Sequence, residues 1–320
     1  GPKIKTHEFK DSVERMAKGC KVTIHTQEEV TGSEYSFSVN YAGLYEDVSV
    51  EDEILVNGSV RLVVIRKNEE NKTIDCEVIK SGTVKDNCLV NVPSIITSMK
   101  CVSDEDASLL KFAAKAGVDF IGASFVRNAA DVLEVKEFVK QYNENMKVFA
   151  KIETKSSVEN FDEIVAVADG IIISRGDLSI EVPYEIQPII QKKMIKKANR
   201  VGKPIVVSTQ ILSSMTRNKK PSRAEVSDLA NLVLDGVDGI SLTNVTTIGL
   251  YPSKAVKALA KTNAFLTGTQ VSNVVCQINV LGKSFVIFFS IDILVNSSSI
   301  LLVICLLVPS WVNSSIVITG

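Results

Sequence analysis

The chain has 320 residues, with 36 Lys and Arg against 37 Asp and Glu for a net charge of -1, and 45% hydrophobic residues. That length suits about two domains of ordinary size, and the balanced charge and apolar content exclude disorder and nucleic-acid binding driven by bulk charge. With only two histidines, His7 and His25, a His-rich zinc site and a Ser-His-Asp triad seated in residues 26–320 are excluded as well.

In chain order, residues 21–92 carry short alternating or β-branched runs at 21–26, 35–39, 54–56, 60–65 and 73–79. Turn signals at Asn57-Gly58 and Ser81-Gly82 separate some of them, so this stretch is expected to be a small all-β module. From about residue 103 the pattern changes to helices alternating with short apolar strands. The spacing predicts helix 104–116 and strand 118–125, helix 129–142 and strand 147–153, helix 158–168 and strand 170–174. It then predicts helix 185–201 and strand 204–209, helix 223–234 and strand 239–243, and a last helix from 252 to 265. Strands that are short, continuously apolar and each followed by a helix imply a parallel sheet with both faces covered. Beyond Lys261 only Lys283 and Asp292 are charged. Residues 266–320 therefore read as an apolar, Ser-rich and Asn-rich tail.

Within that tail the runs Phe285 to Phe289 and Ile300 to Val308 are interrupted by Asp292, Asn296 and serines. Neither reaches the roughly 20 apolar residues of a membrane span, so a segment foreign to the fold is the leading reading, with membrane association through 285–308 and β-rich packing in place of missing barrel strands as lesser ones. Six cysteines without a Cys-x-x-Cys pair fit reduced thiols, no apolar signal core stands near Lys3 and Lys5, and a cytoplasmic location is expected.

No Gly-x-Gly-x-x-Gly fingerprint of a dinucleotide fold is present. Polar residues instead crowd the strand ends: Ser124, Lys151 and Glu153, Arg175-Gly176-Asp177, Thr209-Gln210 and Thr243. A βα barrel keeps its reactive groups at the C-terminal ends of several strands, so the distribution favours a barrel. Side chains two apart on a strand project the same way, so Lys151 and Glu153 share one face. Asp177, ending the next strand, brings a second carboxylate. Two carboxylates with room for substrate oxygens and water suit Mg²⁺, and a lysine beside the metal can neutralise a transferring phosphoryl group or an enolate. Gly176 lets backbone N–H groups approach an anion. Each feature alone also has a plain structural reading: a salt-bridged strand pair for Lys151 and Glu153, and a loop cap for Thr209. Arg175-Gly176-Asp177 follows a buried strand, which argues against an adhesion loop.

The segments Ala123-Ser-Phe-Val-Arg127, Lys151-Ile-Glu153, Asp169-Gly-Ile-Ile-Ile-Ser-Arg-Gly-Asp-Leu178, Ser208-Thr-Gln-Ile-Leu-Ser-Ser-Met215, Pro221-Ser-Arg-Ala-Glu225 and Asp228-Leu-Ala-Asn-Leu-Val-Leu-Asp-Gly236 together resemble the pyruvate kinase family. The resemblance implies an α/β fold, an incomplete TIM (β/α)8 barrel with an inserted small β-barrel cap domain. In that reading residues 1–10 are barrel strand three, 11–93 the inserted cap, 94–265 the remainder of the barrel, and 266–320 a tail unrelated to the family. The family transfers phosphate from phosphoenolpyruvate to ADP, giving pyruvate and ATP, with Mg²⁺ (or Mn²⁺) and usually K⁺. By position the resemblance makes Lys151 the lysine on the phosphoryl group and enolate. It gives Glu153 and Asp177 to the metal, Gly176 and Asp177 to the substrate carboxylate, Thr209 to substrate and enolate protonation, and Lys5 to the nucleotide. It implies a homo-oligomer and no nucleic-acid partner.

Departures accompany the likeness. The family's first two barrel strands, with the Arg-x-Asn-x-Ser segment that supplies K⁺ ligands, have no counterpart in this sequence. Lys5 stands for an arginine, Thr243-Asn244-Val245-Thr246 for Ser-Gly-Glu-Thr, and Ser179 for a glycine, while the cap's paired lysines reduce to Lys85-Asp86-Asn87-Cys88. The sequence thus supports a pyruvate kinase-like phosphotransferase with impaired turnover. A non-catalytic paralogue or fragment with a binding role is the alternative, and a metal-enolate aldolase is a third reading that the inserted β module argues against.

Overall fold

In the computed structural model, which describes residues 1–93, 95–267, 273–280 and 283–290, the alternating runs of the N-terminal part bury one face of an antiparallel sheet. Its strands are β1 (Ile4–Lys5), β3 (Lys21–His25), β4 (Ser36–Ser38), β5 (Glu53–Val56), β6 (Val60–Asn68), β7 (Thr73–Lys80) and β9 (Leu89–Asn91). They lie in the order β1-β9-β5-β6-β7-β3-β4, antiparallel except for β3 with β4. A two-stranded ribbon of β2 (Val13–Met16) and β8 (Gly82–Lys85), and the single turn α1 (Leu44–Asp47), complete the module. Val22, Ile24, Leu62, Val64, Ile74 and Val78 are all buried in its core, as period-two alternation requires. Between β5 and β6 the chain reverses through Asn57 (φ 54°) and Gly58 (φ 62°), the left-handed conformation these two residue types adopt most readily.

Ile4–Lys5, assigned by the resemblance to barrel strand three, pairs antiparallel with β9 in the module's own sheet. The reason is positional: Gly1 abuts Ser124, beyond the end of the first parallel strand, so the residues that follow already run into the β module.

The second half alternates as its periodicity predicts. After α2 (Asp104–Lys115) come β10 (Phe120–Ala123), α3 (Ala129–Lys140), β11 (Lys147–Ile152), α4 (Lys155–Glu159), α5 (Phe161–Val167) and β12 (Gly170–Ser174). Then follow α6 (Arg175–Glu181), α7 (Gln187–Arg200), β13 (Ile205–Ser208), α8 (Arg223–Asp235), β14 (Gly239–Leu242), α9 (Asn244–Thr247) and α10 (Pro252–Thr267). Strands β10 to β14 pair in sequence order, each parallel to the last, with Ile152 opposite Ile173 and Ser174 opposite Ser208. On one sheet face Val148, Ala150, Ile152, Ile171, Ile173, Ile205 and Val207 join the helices in the main core. On the other, Phe149, Ile172 and Val206 form a small separate cluster. The sheet is curled and carries apolar side chains on both faces, which is why its strands read as unbroken apolar runs.

Three details differ from the sequence reading. The helix expected at 158–168 begins earlier, at a capping box on Thr154, and breaks at Asn160, whose side-chain amide donates to the Arg127 carbonyl. Asp177, read above as ending the strand, lies instead in the first turn of helix α6. The sheet also runs on into the region read as a tail: β15 (Asn273–Val280) pairs parallel with β14, and β16 (Lys283–Ser290) returns antiparallel to it and approaches β10. The remaining part of the 285–308 segment lies outside the described residues, and among the described residues no helix is long and apolar enough to cross a membrane.

The connection from the β module to α2 is fixed by one buried ion pair. Arg127 donates from Nε and Nη2 to both Asp131 carboxylate oxygens, and from Nη1 and Nη2 to Thr97 and Met99. The two side chains are 10% and 6% exposed. Asp131→Ala is expected to cost about 3–5 kcal/mol, because the guanidinium would stay buried without its counter-charge. A fall in the urea midpoint at unchanged m-value checks this.

Candidate active site

Strand alternation carries Lys151 to the same face as Phe149, at the C-terminal end of the sheet, and Glu153 follows one pleat later. Gly122 on the neighbouring strand keeps the space open: a Cβ there would come within 3.4 Å of the Lys151 stem and 3.3 Å of Ile172. The Lys151 ammonium lies 2.6 Å from Glu153 Oε1 and donates to Ser124 Oγ at 3.1 Å. Glu153 is fully buried. Its Oε2 accepts the Phe125 N–H at 2.7 Å, a donor aimed by the left-handed backbone of Phe125 (φ 55°). Its Oε1 faces the Lys151 ammonium across that 2.6 Å contact and keeps lone-pair capacity for a further cation.

Asp177, in the first turn of α6, accepts from Ser174 Oγ at 3.2 Å and lies within hydrogen-bonding reach of Glu153. Burial and then the neighbouring Glu153 charge push its carboxyl up to about 6. Burial acts on Glu153 in the same sense, but the Lys151 and Lys3 ammonium groups and the Phe125 N–H overcome it and hold that carboxyl well below the usual carboxylate range. Two carboxyls with opposed shifts therefore share one site, as expected where two negative charges compete for one low-dielectric space.

Lys3 was not singled out from the sequence. It is largely buried, stacks 5.1 Å above the Phe125 ring, and feels Glu153, Lys151 and Asp177. Burial lowers its pKa, with Glu153 opposing and Lys151 reinforcing the shift. Lys5 is not part of this cluster: its side chain is exposed on β1, and its backbone N–H donates to Asn40. Strand alternation puts the two lysines on one side. Lys3 is the one nearer Gly1, and hence nearer Ser124.

Thr209 and Gly176 meet from adjacent strand ends. The Gly176 N–H donates to Thr209 Oγ1 at 2.6 Å, and that hydroxyl donates to the Ser208 carbonyl at 2.7 Å. A Cβ on Gly176 would stand 3.2 Å from Thr209 Oγ1, so glycine permits this close approach. Thr209 (φ 65°), Gln210 (φ 54°) and Leu212 (φ 52°) all adopt the left-handed conformation, which is uncommon for non-glycine residues and is held only where its surroundings enforce it. Arg175 supplies that constraint: it grips Asp228 of α8 bidentately at 2.8 and 2.9 Å and donates to the carbonyls of Thr209 and Gln210. Ser179 closes the α6 turn by donating to the Gly176 carbonyl at 2.6 Å.

The β module leans over this mouth. Asn91 of β9 donates to Glu181 at 3.1 Å, and Glu181 also accepts the Lys155 N–H at 2.9 Å. Burial holds Glu181 above its ordinary value. At the end of β14, Val245 is buried and adds no carboxylate. The polar set is thus the Glu153 and Asp177 carboxylates, the Lys3 and Lys151 ammonium groups, the hydroxyls of Ser124, Ser174 and Thr209, and backbone N–H groups. Among the described residues no cluster of three or more His, Cys, Asp or Glu forms a self-sufficient metal cage.

A family model for the pyruvate kinase barrel domain matches residues 1–256. Pyruvate kinases of Staphylococcus aureus strains MRSA252 and USA300 are 40% identical to this chain over 260 residues, or 81% of it. The chain spans 44% of the length of each of these curated relatives. A crystal structure of a pyruvate kinase from Cryptosporidium parvum superposes with a TM-score of 0.76 at 33% identity, covering 84% of this chain and 56% of the other. The chain belongs to the pyruvate kinase family.

Proposed function

We propose that this chain carries the phosphoryl-transfer centre of a cytoplasmic pyruvate kinase, moving the phosphoryl group of phosphoenolpyruvate to ADP, with turnover below that of its longer relatives. In this reading the curled sheet is part of a βα barrel and the β module is its cap. The observation that carries the proposal is the convergence of Lys151, Glu153 and Asp177 at one sheet end, beside Ser124 and Thr209. Among the described residues, the free thiols of Cys20, Cys76, Cys88 and Cys101 fit a reducing compartment.

Glu153 and Asp177 would hold Mg²⁺ or Mn²⁺. The fit rests on the two carboxyls of Glu153 and Asp177 sharing one buried space, and the ion prefers such oxygens together with substrate oxygens and water. When bound, it would neutralise charge on the phosphoryl oxygens. The P–O bond to the enol oxygen breaks as the ADP β-phosphate oxygen bonds phosphorus, leaving the enolate of pyruvate. The Lys151 ammonium, desolvated and 15% exposed, is positioned to stabilise negative charge on both the phosphoryl group and the enolate. The backbone N–H groups of Gly176 and Asp177 would donate to the substrate carboxylate, Gly176 after giving up its bond to Thr209 Oγ1. Thr209 can assist protonation of the enolate only after exchanging its bond to the Ser208 carbonyl. Lys5 remains the candidate nucleotide contact by resemblance, and its exposure permits that.

A coupled lactate dehydrogenase assay with phosphoenolpyruvate, ADP, Mg²⁺ and K⁺ tests the proposal, with slow, Mg²⁺-dependent pyruvate formation expected. Mg²⁺-dependent binding of phosphoenolpyruvate without turnover would replace it by the binding-paralogue reading, for which the buried Val245 at the end of β14 is the specific observation.

A further inference from the structure

Away from this mouth, α8 and α10 enclose a groove of about 620 Å³ on the outside of the sheet. Its rim is formed by Lys219, Lys220, Lys254, Lys257 and Lys261, and no acidic residue lines it. Lys254, Lys257 and Lys261 recur at intervals of three and four, on one face of α10, which places their ammonium groups in a row. All five are exposed, and among the described residues none takes part in an ion pair. The carboxylates of α8 are already committed, Glu225 to Ser214 and Ser222, Asp228 to Arg175, and Asp235 to Lys192. Among the described residues the Tyr251 ring answers the charge, lying 5.9 Å from the Lys219 ammonium and 5.4 Å from that of Lys254. The floor is apolar, built from Met215, Val226, Ala230 and Ala258.

Five cations around an apolar trough repel one another and raise the local concentration of anions. A lysine row contacts phosphate as a set of point charges, while a floor of aliphatic side chains takes an uncharged body. The volume lies in the range of small-molecule sites. A second copy of the chain is a poor occupant, since self-association on this face would set the lysine rows against each other. We propose that the groove between α8 and α10 is a binding site for a small organic polyanion, with two or more phosphoryl groups on a planar or aliphatic body, separate from the Lys151 centre.

The test uses the whole chain in magnesium-free buffer, with a hydroxypyrene trisulfonate as fluorescent probe and inorganic tripolyphosphate as competitor. Binding is expected to weaken with added salt and to be displaced by tripolyphosphate. It should fall by about tenfold or more in Lys257→Glu/Lys261→Glu and in Ala230→Trp, which fills the floor. Lys151→Met should bind the probe as the parent chain does. Equal binding by both groove variants, at thermal midpoints matching the parent, overturns the proposal, as does loss of binding in Lys151→Met, which would assign the anion to the catalytic mouth. Co-sedimentation with anionic vesicles that depends on Lys257 and Lys261, without probe binding, also overturns it in favour of a membrane surface.

Discussion

Lys151→Met should lower pyruvate formation by on the order of 10³-fold, the scale of removing one preorganised electrostatic group from a desolvated centre. The substitution keeps the aliphatic stem over Gly122 and deletes only the charge. It also leaves Glu153, which is fully buried, with Lys3 as its one nearby ammonium group, so some stability is lost together with activity. The double variant Lys151→Met/Glu153→Gln separates the two effects. Neutralising the stranded carboxylate should recover the thermal midpoint but not the rate. A single variant that keeps parental turnover would remove Lys151 from the chemistry altogether.

Asp177→Asn should act in opposite directions on metal binding and on fold stability. In the metal-free chain Asp177 is raised from 3.8 to about 6. Between those values the folded chain holds a proton that the unfolded chain has released. The contribution of Asp177 to stability is therefore fully present below about pH 4 and lost as pH rises through about 6, and its removal amounts to an upper bound of about 3 kcal/mol at one pKa unit per 1.36 kcal/mol. Glu153 gives the opposite slope at lower pH, since its lowered pKa adds stability that is lost on acidification. Asn cannot ionise, so the metal-free variant should be more stable than the parent at pH 8. Mn²⁺ affinity, followed by its electron paramagnetic signal, should fall by about tenfold per pH unit below about 6 in the parent, where one proton must leave. The variant should bind more weakly and without that dependence. A variant less stable than the parent at pH 8 would mean that the Asp177 charge is well compensated without metal.

Much of this centre could be read from residue order. The pairing of Lys151 with Glu153 follows from a period of two, and the parallel sheet follows from apolar strands such as Gly170–Ser174 that leave no polar face. Lys3 was invisible for a physical reason: its partners are distant in sequence, and only the path of the chain into the β module brings it over the Phe125 ring. The same path takes Lys5 out to solvent. Helix α6 was missed because Arg-Gly-Asp has turn chemistry locally, whereas the contacts of Arg175 with Asp228 and of Gly176 with Thr209 are made across elements. The left-handed backbone at Phe125 and Thr209 has no sequence signal, since neither position carries Gly, Asn or Asp.

The reach of Arg175 has a mechanical consequence. One guanidinium ties the exit of β12 to two carbonyls at the exit of β13 and to a carboxylate on α8, so these three pieces of backbone move as a single block. Loops at this mouth are not free to drift separately under substitution. A change that displaces α8 would be felt at the Thr209 hydroxyl without touching it, and adaptation here would have to proceed by concerted changes across strands rather than by altering one loop at a time.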